Sequence, residues 1–219
     1  MSECNFYTPE EVRPLYGEIV PAYQAAFSGE PWYEVSKCAD QLKRCVGGLS
    51  SLAIGTTCEL CGNRLTQPAY EAGELTERFD TLANSRPTAW YTEINSDGLT
   101  LAAIAWKATP SVIAEEKYPD VPVMERWLEA NPGDNEIIWL DEVFANKNLK
   151  PQGNLQNFGK FVTGLAGMLE AQTVAYRTKE PRMLTAAKRD FKQVATIFNR
   201  KTDVPDRRDF IIIRLDKEQ

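Results

Sequence analysis

A mixed α/β domain with one cysteine-bearing insertion is the fold class this sequence predicts. Three observations predict it. Helical and strand-like apolar periods alternate along the chain, an Asp-Gly pair joins two β-rich runs near its middle, and a stretch with four cysteines interrupts the pattern early. At 219 residues, 43% of them hydrophobic, the chain can bury one sizeable core, and no linker or repeat divides it. Residues 1–219 read as a single domain with a Cys-rich insertion at about 36–65.

From Thr8, the run TPEEVRPLYGEIVPAYQAAF carries a capping Thr, acids in its first turn, and Val12, Leu15, Tyr16, Ile19, Val20, Tyr23 and Phe27 at helical spacing. Pro14 fits the first turns; Pro21 is expected to kink or divide the helix. The residues before Thr8, Cys4 included, read as a tail. After the insertion a short polar helix is expected around 73–83. Thr88 to Ile94 and Leu101 to Lys107 then form strands of a hairpin turning at NSDGL.

A helical stretch with Tyr118, Val123, Met124, Trp127 and Leu128 leads to EIIWLDEVFA, which reads as a central strand. The loop NKNLKPQGN opens a long helix with Leu155, Phe158, Phe161, Val162, Leu165, Met168 and Leu169 on one face. Its Gly159, Gly164 and Gly167 imply that something approaches its backbone closely. TVAYRT is expected as a strand, TAAKRDFKQVATIFN as a helix, and RRDFIIIRL as the last strand.

The net charge of −6 disfavours a nucleic-acid partner, and Lys188, Arg189 and Lys192 read as a solvated helix face. The first residues carry neither a basic nor an apolar leader region, and no run approaches the ~20 apolar residues of a bilayer span, so a reducing, cytoplasmic location is expected. Histidine is absent, which removes the commonest general base and every imidazole ligand. Catalysis then falls to carboxylates, Tyr, Lys, Cys, backbone amides or water.

Cys38, Cys45, Cys58 and Cys61 form C-x6-C-x12-C-x2-C, ending in CELCGN. In a reducing compartment four thiolates at this spacing suit a closed, structural Zn(II) site better than disulfides. Such a metal fixes the insertion and does not activate water.

Around the central strand, EIIWLDEVFANKNLKPQGNLQNFGKFVTGL resembles the fourth strand, pyrophosphate loop and third helix of the GNAT superfamily of N-acetyltransferases, whose loop signature is R/Q-x-x-G-x-G/A. Lys150 stands in the Arg/Gln position, Gly153 in the first Gly position, and Leu155 where Gly or Ala is expected. VPAYQAAFSGEPW, TAWYTEINSDGLTLAAIAW and the C-terminal stretch resemble the first helix, the second and third strands, and the closing elements. The resemblance implies a mainly antiparallel central sheet flanked by helices, with the zinc-knuckle-like insertion added.

The resemblance also implies acetyl-CoA as cosubstrate and a primary amine of a small molecule or protein as acceptor. It places a thioester-binding amide near Phe144 or Ala145 and the pyrophosphate at Lys150, Gly153, Asn154 and Leu155. A strand carboxylate would act as base, with Asp141 and Glu142 both candidates. Strict alternation puts these two on opposite faces, so that at most one reaches the cleft. The family's acid is commonly a Tyr late in the fourth helix; the best-matching position holds Phe198, and Tyr176 is the available substitute. Trp32, Tyr33, Trp90, Tyr91, Trp106, Tyr118 and Trp127 are candidates for the acceptor pocket or for plain packing. Rival readings are a catalytically silent acyl-CoA-binding relative and a zinc-stapled interaction module. A homodimer is compatible with the sequence.

Overall fold

The computed structural model describes residues 3–30, 32–38, 49–58, 61–62, 65–117, 136–146, 155–178, 180–197 and 209–215. Lys150, Gly153, Asn154, Cys45, Tyr118, Trp127 and Phe198 therefore lie outside the described residues.

The presumed tail is a strand. β1 (Glu3–Tyr7) pairs antiparallel with β5 (Thr88–Asn95), Phe6 opposite Tyr91, and so forms one edge of the main sheet. Its exposed, partly polar face carries no continuous apolar run, which is why the sequence hid it.

Thr8 opens α1 (Pro9–Val12) with a capping box: its backbone N–H donates to Glu11 Oε2 at 2.9 Å and its Oγ1 accepts from the Glu11 amide. The division expected at Pro21 falls at Pro14, inside a 3₁₀ turn (Arg13–Leu15). Pro21 is accommodated within α2 (Tyr16–Ser28), which buries Ile19, Val20, Tyr23 and Phe27.

The insertion contributes β2 (Ser36–Cys38), β3 (Leu49–Ser50) and β4 (Leu65–Pro68), a small antiparallel sheet ordered β3-β2-β4. α3 (Ala72–Ser85) follows, burying Leu75 and Phe79. β5 turns into β6 (Gly98–Ala108) where expected. Asn95 Oδ1 accepts the Asp97 amide at 2.7 Å, and Gly98 takes φ 114°, a conformation L side chains rarely adopt.

After α4 (Pro110–Lys117) come β7 (Ile137–Ala145), α5 (Phe158–Leu169), β8 (Thr173–Thr178), α6 (Pro181–Asp190), β9 (Gln193–Ile197) and β10 (Asp209–Arg214). The helix expected over 185–199 is thus a helix and then a strand. Val194, Thr196 and Ile197 are β-branched, and residues 193–197 pair with β10. The charged run KRDFKQ has no Gly or Pro to mark the break.

The main sheet runs β1-β5-β6-β7-β8-β10-β9, and all its described pairings are antiparallel except β7 with β8. One face packs α5 and α6 through Tyr91, Leu101, Phe158, Phe161, Leu165 and Ile211. The other packs α2 and α3 through Ile19, Tyr23, Phe79, Trp90 and Phe144, and α4 through Ile113 beside Trp106 and Trp139. Burial of each large side chain here contributes roughly 1.5–3 kcal/mol relative to exposure. No helix among the described residues is long and apolar enough to cross a membrane.

Two of the three α5 glycines meet the close approach expected of them. A Cβ on Gly159 would lie 3.1 Å from Asp190 Cβ, and one on Gly164 would lie 2.1 Å from Phe6 Cζ, whereas Gly167 has nothing within 4 Å. Gly164→Ala must displace the β1 ring and is expected to destabilise the fold by about 1–3 kcal/mol. Gly167→Ala, gaining helix propensity at no steric cost, is expected to stabilise it by about 0.5–1 kcal/mol. Denaturant midpoints of the two variants should move in opposite directions; a common direction would contradict this account of β1 packing.

Candidate active site

The geometry of the site begins with one extra residue in β7. Ile104 of β6 pairs with Glu142 and Ala105 with Leu140, leaving Asp141 as a bulge. Before it, Ile137 and Trp139 face α4, while Ile138 and Leu140 face α5. After it the phase is inverted: Val143 lies on the α5 face and Phe144 packs among the α2 and α3 residues. Asp141 and Glu142, expected on opposite faces, therefore point to the same side, where both accept from Arg78 Nη2, at 3.3 and 2.8 Å.

The two carboxylates differ in what holds them. Asp141, with a side chain 6% exposed, also accepts from Lys117 Nζ at 2.5 Å and from Trp139 Nε1 at 3.0 Å. Burial opposes its charge, but the Lys117 ammonium and its hydrogen bond, with Arg78 behind them, outweigh burial and hold the carboxyl below its usual range. Glu142, 19% exposed, accepts from the Tyr23 hydroxyl at 3.1 Å. Burial, and then the neighbouring Asp141 charge, push its carboxyl above the usual range against the pull of Arg78. Asp141 is thus a pinned anion, and Glu142 the more accessible and more basic of the pair.

Arg78 and Lys117 were not singled out from the sequence, and Tyr23 was read only as part of the apolar stripe of the first helix. Arg78 lies next to buried Phe79 and three residues after buried Leu75, so it flanks the apolar stripe of α3. A cation at the margin of a buried face was the available signal.

β7 and β8 pair only at Ile138↔Val174 and Trp139↔Ala175; beyond these they border a cleft of about 1000 Å³. Leu140 to Ala145 line it on one side and Tyr176 to Thr178 on the other, with Leu155, Met183, Ala186 and Arg189 near its α5 and α6 end. Phe144, at the border of the cleft, is 3% exposed and meets the Tyr23 ring edge-on at 5.1 Å. Tyr176 is buried, and its hydroxyl donates to the Met183 carbonyl at 3.2 Å; burial pushes its phenol above the usual range. α6 contains no Tyr along its length.

Leu155 packs against the core, and its carbonyl accepts from Arg189 Nη2 at 2.7 Å. At the α5 N-terminus, the Gly159 amide donates to Asp190 Oδ2 at 2.8 Å. The opposite end of the cleft is aromatic: Phe27, Trp32 and Tyr70 line it together with Glu34. Of the other aromatic candidates, Trp90, Tyr91 and Trp106 are fully buried and Tyr33 is exposed.

In the insertion, the sulfurs of Cys38, Cys58 and Cys61 lie within 4.8 Å of one another, with Cys38 and Cys61 3.5 Å apart. Sulfurs about 2.3 Å from one tetrahedral Zn(II) stand ~3.8 Å apart, so three ligands have the required grouping. Gly62 donates its amide to the Cys58 carbonyl at 2.9 Å with φ 73°, closing the C-x-x-C-G turn.

No protein-family model and no curated protein matches this sequence. Solved structures do match in fold. A Drosophila melanogaster polyamine N-acetyltransferase superposes with a TM-score of 0.53 at 9% identity, over 98% of this chain and all of that one. A mosquito arylalkylamine N-acetyltransferase-like protein gives 0.54 at 8% identity, over 98% and 100%. A histone acetyltransferase-related acetyltransferase from Corynebacterium glutamicum gives 0.54 at 10% identity, over 98% and 97%.

Proposed function

We propose that this chain, which has the fold of the GNAT N-acetyltransferases, is an acyl-CoA-dependent N-acyltransferase that acetylates a primary amine directly in a ternary complex. The observation that carries the reading is the cleft opened by the divergence of β7 from β8, with a bulge that turns Glu142 into it. The similar structures differ in their named acceptors, so N-acetyl transfer is what they share.

In this reading the thioester carbonyl binds a β7 amide near Phe144 or Ala145. The pyrophosphate is assigned to Lys150, Gly153, Asn154 and Leu155, the segment that precedes α5 in sequence, with Lys150 supplying the positive charge. Glu142 takes a proton from the attacking ammonium, directly or through one water, and the free amine adds to the carbonyl carbon. The added nitrogen gives up its second proton to water, collapse of the adduct breaks the C–S bond, and the departing thiolate takes a proton back from water. Asp141 keeps Lys117 and Arg78 in place. The thiolates of Cys38, Cys45, Cys58 and Cys61 bind a structural zinc that clamps the insertion.

Thermal unfolding with and without acetyl-CoA tests the coenzyme site. At ~100 times its dissociation constant the ligand should stabilise the native state by about 2.7 kcal/mol. For a chain of this size that corresponds to a rise of roughly 5–10 °C. An unchanged transition in folded protein would remove the acyltransferase reading. The phenol-free last turn of α6 favours a second reading, a silent acyl-CoA-binding relative, which would show the same stabilisation without release of free thiol from acetyl-CoA across a panel of amines.

A further inference from the structure

We propose, building on the acyltransferase reading, that the acceptor is a small aliphatic amine bearing a second cationic group, and that Glu34, at the aromatic end of the cleft, holds that second group. The cleft continues past Glu142 to the base of the insertion. There the Phe27 ring lies 5.5 Å from Trp32 and 5.7 Å from Tyr70, making a continuous aromatic wall.

Two tyrosines connect the ends. Tyr23 donates its hydroxyl to Glu142, its ring stands 5.1 Å from that of Tyr70, and Tyr70 donates its own hydroxyl to Glu34 Oε2 at 2.5 Å. One carboxylate thus sits at the reacting end and another at the far end of one aromatic-walled channel.

The charge balance differs between the ends. Around β7, Arg78 and Lys117 face Asp141 and Glu142. Among the described residues, no cation lies within ion-pair distance of Glu34, and its hydrogen-bond donor is the Tyr70 phenol. Burial, followed by the Glu34 hydrogen bond and charge, keeps that phenol protonated. A half-buried carboxylate at the aromatic end of the cleft offers a partly desolvated ammonium or guanidinium a charge-assisted hydrogen bond. A monoamine of the same length leaves that end unused, so charge at the distal end is the discriminating feature.

The test is a calorimetric titration of 1,4-diaminobutane, n-butylamine and 2-phenylethylamine into the protein, followed by turnover with acetyl-CoA read as free thiol. The diamine should bind, and react in kcat/KM, about tenfold or more better than n-butylamine. Glu34→Gln, checked for an unchanged melting temperature, should bring that ratio close to one. A diamine that binds no better than n-butylamine or 2-phenylethylamine overturns the proposal, as does a preference that survives Glu34→Gln. Glu34-dependent diamine binding in a protein that neither binds nor consumes acetyl-CoA would sustain this site and overturn the acyltransferase reading instead.

Discussion

Glu142→Gln is expected to lower kcat for amine acetylation by about 10²–10⁴-fold, the usual contribution of a positioned general base. Gln is nearly isosteric and can still accept from Tyr23 and Arg78, so the variant should fold and retain its coenzyme site. The pH dependence carries the sharper signature. A base must be deprotonated, so kcat rises with pH as Glu142 ionises. Because burial and Asp141 raise its carboxyl, that limb lies above the ordinary Glu value of about 4.3. It remains separable from titration of an alkylamine, which occurs several units higher.

Asp141→Asn removes the neighbouring charge that raises Glu142 and should move the limb to lower pH. Glu142→Gln should erase it. If the Gln variant kept a third or more of the activity with the same limb, Glu142 would not be the base.

The second large effect concerns the thiolates. Protein purified without chelators is expected to carry close to one zinc per chain, and Cys58→Ser or Cys45→Ser to lose it. Closed Cys4 sites supply folding free energy directly, with apparent binding of about 10–16 kcal/mol in isolated zinc fingers at neutral pH as an upper bound. The loss should therefore amount to several kcal/mol and be concentrated in residues 36–68. Hydrogen exchange resolves its location: amides of β2 and β4 should lose protection while those of β6 and β10 keep theirs. The affinity should also fall in acid, since protons compete for the thiolates. A zinc content near zero, with unchanged melting of Cys58→Ser, would leave the cysteines as unligated thiols.

Much of this architecture was legible from periodicity and turn chemistry. The hairpin announced itself through Asp97-Gly98, the central strand through Ile137 to Leu140, and α5 through Phe158, Phe161 and Leu165 on one face. Elements lacking such marks were missed. β1 exposes much of its surface and derives its place from pairing with a strand more than eighty residues away. The end of α6 lies in a run of good helix formers and was set by the pairing of β9 with β10.

At the site, the residue types were readable but their geometry was not. Asp141 and Glu142 stood out as adjacent acids on a strand, yet a bulge is a mismatch between two strands and leaves no mark on either alone. Arg78 and Tyr23 reach Glu142 across 64 and 119 positions, a separation that local pattern cannot bridge.

The one parallel pairing among the described strands bears on how the sheet assembles. The β5–β6 hairpin closes a two-residue turn, whereas β7 and β8 can join only after the intervening chain has crossed a face of the sheet, which makes theirs an entropically costlier contact. With two residue pairs to hold it, this is the joint at which two sub-sheets meet. A molecule lodged between them acts as mortar in that joint, so that part of what it gains on binding goes into completing the fold.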